Sequence, residues 1–79
     1  MLNEKHLYKV LRLPKHLQVS IITLVKLGSA CAQDVAAVTG KARAVESHYL
    51  NLMTVMQIVR KTHHGSKVFF QVDLEALAW

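Results

Sequence analysis

Scarcity sets the first limits on this chain. A single cysteine, Cys31, forbids an internal disulfide and fits a reducing compartment. One proline and three glycines leave no stretch that reads as a linker or low-complexity segment, and no internal repeat is visible. Carboxylates are few, five Asp and Glu in all, and none are paired at the spacing that acid–base catalysis needs. There is no glycine-rich phosphate loop and no nucleophile with a recognisable base, so no catalytic residue and no enzyme activity are expected. Neither Cys-x-x-Cys nor His-x-x-x-His spacing occurs. His63 and His64, adjacent on an extended run, would point to opposite faces. No metal and no cofactor are expected.

Long apolar runs are missing too. The longest charge-free stretch, SHYLNLMTVMQIV, has 13 residues, against the roughly 20 apolar residues of a membrane helix. The opening MLNEKHLYKV carries charge where a signal peptide would have its apolar core. The expectation is a cytoplasmic protein with no membrane partner.

Apolar surface and positive charge are abundant. Hydrophobic residues make up 52% of the 79-residue chain, more than a domain this short can use in one core. The surplus predicts a partner surface, most simply a second copy of the chain. Ten Lys and Arg against five Asp and Glu give a net charge of +5, a balance that favours a polyanionic partner.

The chain reads as one domain, 1–79. A first helix is expected over 3–12, capped by Asn3 with Glu4 in its first turn and interrupted by Pro14. A second, 15–27, carries Leu17, Ile21, Leu24 and Val25 on one stripe, with Gly28 as its stop. A short third helix over 31–39 ends at Gly40. The pattern resumes over 42–56, where Val45, Tyr49, Leu52, Met53 and Met56 gather on one side. Two strands around a glycine turn follow over 58–72, with Val68, Phe70 and Val72 alternating inward. A C-terminal tail over 73–79 has helical character.

Two helices joined by a glycine-containing turn make a helix-turn-helix. The stretch VAAVTGKARAVESHYLNLMTVMQIVRKTHHGSKVFFQV, within a match running from Gly28 to about Val72, resembles the core of a winged helix-turn-helix DNA-binding domain. Such domains occur as small stand-alone regulators in prokaryotes, archaea, viruses and plasmids. The resemblance implies an α+β, mainly α fold: a winged helix-turn-helix with a C-terminal β-hairpin wing and an extra N-terminal helix. Three positions depart from the pattern. Ala42 stands where Ser or Thr often caps the recognition helix. Glu46 stands where an inward valine is usual, with Val45 beside it. Gln57 replaces the glycine that precedes the first wing strand.

The resemblance also implies a function, a sequence-specific transcriptional regulator of double-stranded DNA. With Val45, Tyr49, Leu52 and Met56 toward the core, Arg43, Ser47 and Asn51 face outward, flanked by Ala44, His48 and Thr54. Arginine can fork onto guanine and asparagine onto adenine, and alanine can meet a thymine methyl. Lys41, just before the helix, would meet phosphate. Glu46 could accept from a cytosine amino group or repel phosphate and sharpen selection, but the favoured expectation is a solvated side chain paired with Lys41 or Arg43. The wing tip, with Arg60, Lys61, Thr62, His63, His64, Ser66 and Lys67, would lie on the backbone or in the adjacent minor groove. Leu7, Val10, Leu11, Val19, Ile22, Leu74, Leu77 and Trp79 supply the expected homodimer interface. Two other classes fit the same sequence, a winged-helix docking module for proteins and an RNA binder using the basic face.

Overall fold

The computed structural model describes residues 2–78. Asn3 caps the first helix, α1 (Glu4–Leu11). Its side-chain oxygen accepts from the His6 amide, and His6 Nδ1 accepts from the Asn3 amide, both at 3.0 Å. The other ring nitrogen, His6 Nε2, lies 2.9 Å from the Leu74 carbonyl oxygen. His6 therefore ties both ends of the chain together, a role its sequence position gives no hint of. Pro14 precedes α2 (Lys15–Leu27), and the Gln18 side-chain Nε2 donates to the Leu13 carbonyl at 2.8 Å, satisfying a group stranded by the break between the two helices.

Helix α3 (Ala32–Thr39) ends at Gly40, whose left-handed φ of +78° turns the chain toward α4 (Arg43–Val55). These two are the helix-turn-helix. Ala42 stands at the N-cap of α4 without a side-chain hydrogen bond. Helix α4 ends in a Schellman motif. The Ile58 amide donates to Met53 at 3.2 Å and the Gln57 amide to Thr54 at 3.0 Å. Gln57 adopts φ +67°, the left-handed conformation that glycine takes without steric cost.

The chain then forms the wing. Numbering in chain order, β1 is Ser29–Ala30, β2 Val59–His64 and β3 Lys67–Val72, and the antiparallel sheet runs β1-β3-β2. Val59 pairs with Val72 and His64 with Lys67 across the hairpin. The short β1 was not expected from the sequence. It pairs Ala30 with Phe70, and two residues are too few to show an alternating pattern. The tail forms one helical turn, α5 (Leu74–Leu77), capped by Asp73.

The core joins Leu17, Ile21 and Leu24 of α2 to Val35, Leu50, Met53, Val59, Phe70 and Val72. Burying each such side chain is worth about 1.5–3 kcal/mol. This core corrects two expectations. Val10 and Leu77, assigned to a dimer interface, are each 1% exposed and belong to the core. Helix α1 packs against α5 and α2, so Val10 and Leu77 are buried within one chain. Ile22 and Leu74 are half-buried against the same core. Leu7, Leu11 and Val19 remain exposed. Trp79 lies outside the described residues.

The second correction concerns the rotation of α4. Its buried residues are Glu46, Leu50 and Met53, spaced i, i+4 and i+7, whereas Val45, Leu52 and Met56 are exposed. The helix is turned by about one residue, roughly 100°, from the orientation that apolar periodicity favours. Glu46 does take the inward place that the winged-helix resemblance assigns to valine, and it is 0% exposed rather than solvated.

Candidate nucleic-acid interface

The inward turn of Glu46 is stabilised by two hydroxyls. Ser20 of α2 donates to Oε1 at 2.6 Å and Thr39, at the end of α3, donates to Oε2 at 2.7 Å. A buried polar group is tolerated when its hydrogen-bonding capacity is met, and here the two donors reach the α4 carboxylate from two different places in the fold, the middle of α2 and the helix-turn-helix corner. Ser20 and Thr39 were missed in the sequence because a hydroxyl inside an apolar stripe looks like an ordinary tolerated serine. The available signal was Glu46 itself at a position that should be apolar.

This rotation decides where the candidate DNA-facing residues lie. Arg43, Ser47 and Asn51 form a row along α4 that lines a groove of about 480 Å³, whose opposite wall is the wing, with Lys61, Ser66, Lys67 and Val68. The floor and end include Phe70 and the first turn of α3, from Cys31 to Asp34. Asp34 accepts from the Cys31 amide at 3.3 Å, so one acidic side chain borders this otherwise basic groove. Ala44 and His48 lie further round α4, exposed to solvent.

Not every expected residue joins the groove. Lys41 places its ammonium 5.9 Å from the Tyr49 ring centroid, and Tyr49 packs against His16 at 4.8 Å between ring centroids; both are outside the groove lining. Arg60 is turned to the far side of the hairpin, where its Nε meets Asp73 Oδ2 at 3.2 Å. That contact is the only ion pair among the described residues. The Ala76 backbone N–H and then the Arg60 guanidinium hold the Asp73 carboxyl below the ordinary aspartate range. Thr62, His63 and His64 are exposed along the hairpin. His63 pairs with Val68 and His64 with Lys67, so the two imidazoles leave opposite faces. No cluster that could hold a metal ion occurs among the described residues. Among them, no helix is long and apolar enough to cross a membrane.

A helix-turn-helix followed by a two-stranded wing and backed by a third short strand defines a winged helix-turn-helix protein. Among the solved structures that share the fold are two described as transcriptional regulators. One is a predicted DNA-binding transcriptional regulator from E. coli, with a TM-score of 0.73 and 19% identity, covering 91% of this chain and 75% of that one. The other is the AntR antimony-specific transcriptional repressor, with a TM-score of 0.72 and 24% identity, covering 90% of this chain and 63% of that one. The chain thus spans less than two thirds of the AntR chain. No family model matches the sequence. The chain belongs to the same family as an uncharacterized protein of Archaeoglobus fulgidus, to which it is 41% identical over 58 residues, 73% of this chain and 78% of that protein.

Proposed function

We propose that this protein is a sequence-specific regulator of transcription that binds double-stranded DNA, with α4 in a major groove and the wing on the backbone or in the adjacent minor groove. One observation carries the reading: α4 and the wing wall a single open groove with Arg43, Lys61 and Lys67 around it. The net charge of +5 supports a polyanionic partner, and the two fold neighbours described as transcriptional regulators support the regulatory role. Arg43, with Ala44, Ser47 and His48, is assigned to base edges. Lys67, Ser66, Thr62, His63 and His64 are assigned to the backbone, with Lys41 as an outer phosphate contact; Arg60, paired with Asp73 on the far side of the hairpin, is left out. The protein acts without catalysis or cofactor, in the cytoplasm.

The active species in this reading is a homodimer. Leu7, Tyr8 and Leu11 are exposed along α1, and Val19 is exposed on α2. These side chains support a symmetric contact between two copies. Two recognition helices would then address major grooves about 34 Å apart.

A second reading, a docking module for another protein, is favoured by the exposed apolar residues of α4 itself, Val45, Leu52, Val55 and Met56. Selection of bound sequences from random duplexes separates the two. Recovery of a palindromic site is the expected outcome. Failure to retain any duplex at low salt would reject the DNA reading in favour of docking, and preferential retention of RNA would redirect it to an RNA partner.

A further inference from the structure

One polar contact crosses the groove between helix and wing. Lys61 Nζ donates to Asn51 Oδ1 at 2.7 Å. The same carboxamide donates through Nδ2 to the Ser47 carbonyl at 2.8 Å, with Ser47 Oγ at 3.4 Å. Lys61 is also fixed from the wing side. It lies directly opposite Phe70 in the antiparallel register, and its ammonium sits 5.9 Å from the centroid of that buried ring. A base-reading asparagine forks onto adenine with its oxygen and its amide nitrogen together. Here both atoms already have partners within the protein, and the lysine that would neutralise a phosphate is spent on the oxygen.

We infer that Asn51 and Lys61 are positioning residues, a latch that holds the wing at a set distance from the recognition helix before DNA arrives. The inference rests on the DNA-binding reading and assigns these two residues a role other than base or phosphate contact. The latch lowers the ordering cost of binding by fixing both contact elements in advance. Because the pair lies at the surface, it contributes little to global stability, so its loss is felt in wing order and in affinity rather than in folding.

The test uses the full chain and a duplex recovered by the selection above. Lys61→Met keeps the aliphatic stem over Phe70 and removes the ammonium; Asn51→Ala removes the acceptor. Each is expected to weaken the selected duplex by about two- to tenfold, and the double variant no more than either single one. Base preference in Asn51→Ala should be unchanged at every position. The slope of log affinity against log salt should be unchanged in Lys61→Met, while the control Lys67→Ala lowers it by about 0.9 per protomer. In the DNA-free protein, backbone amide order parameters over 62–67 should fall in both single variants while the unfolding midpoint is retained. The latch is overturned by a slope loss of about 0.9 in Lys61→Met, by loss of one base preference in Asn51→Ala, or by wing order parameters identical to the parent. If the parent retains no duplex, it is the DNA-binding reading that fails, and the order parameters alone then decide the latch.

Discussion

The Ser20 hydroxyl donates to Glu46 Oε1 across 2.6 Å, in a part of the core where both residues are 0% exposed. With Thr39 on the other carboxyl oxygen, this contact fixes which face of α4 meets the protein and which meets solvent. Glu46→Ala leaves a void and removes the acceptor from two hydroxyls, so a loss of about 2–4 kcal/mol is expected. Ser20→Ala, Thr39→Val and Glu46→Ala combined should cost clearly less than the sum of the three singles, since each single change leaves partners stranded. Urea unfolding measures all four proteins, and strict additivity would contradict a coupled network.

Gln57 holds φ +67° at the C-terminus of α4. A left-handed conformation costs an L-residue about 1–2 kcal/mol, partly offset in glycine by the entropy of its unfolded chain. Gln57→Gly is therefore expected to stabilise the protein by about 0.5–1 kcal/mol. A lower denaturation midpoint in the glycine variant would show that the Gln57 side chain contributes more than its backbone costs.

Asp73 caps α5 and pairs with Arg60, and both contacts lower its pKa. A carboxyl group with a depressed folded-state pKa stabilises the fold fully above its unfolded value of about 3.9. That contribution is lost as pH falls through the lower folded value. The stability difference between parent and Asp73→Asn should thus be constant from about pH 7 to about pH 5 and shrink steadily below about pH 4. Denaturant midpoints across that range test the sign; a difference that grows in acid would refute it.

Arg43 stands at the start of the groove-facing row of α4 and lines the groove. Arg43→Ala should lose about 1–3 kcal/mol at the selected site and relax the preference for one base pair. Equal weakening on all sequences would mark Arg43 as a phosphate contact instead.

Leu11 is 70% exposed on α1 and Leu7 45%, while their neighbour Val10 is buried. Replacing both leucines with glutamate should leave the unfolding midpoint close to that of the parent and convert a dimer to a monomer in sedimentation at micromolar concentration. A parent that already sediments as a monomer would remove the dimer from the proposed mechanism.

Local chemistry made much of this protein legible from its sequence. Asn3, Pro14, Gly28 and Gly40 punctuate helices because capping and left-handed turns need those residues whatever surrounds them. The KVFFQV strand announced its inward face by alternation, and Phe70 and Val72 are buried as that pattern requires. Even the departure at Gln57 was visible as a misplaced side chain in a glycine position. What periodicity could not decide was the rotation of α4, because Val45, Leu52 and Met56 form as good an apolar stripe as Leu50 and Met53. The tertiary structure settles it through Ser20 and Thr39, whose hydroxyls stabilise Glu46 inside the core and leave part of the apolar stripe in solvent. For the same reason the sequence could nominate Asn51 and Lys61 as exposed polar groups but could not pair them. They are ten positions apart on a helix and a strand, and only the packing of the wing against α4 brings amide and ammonium within hydrogen-bonding distance.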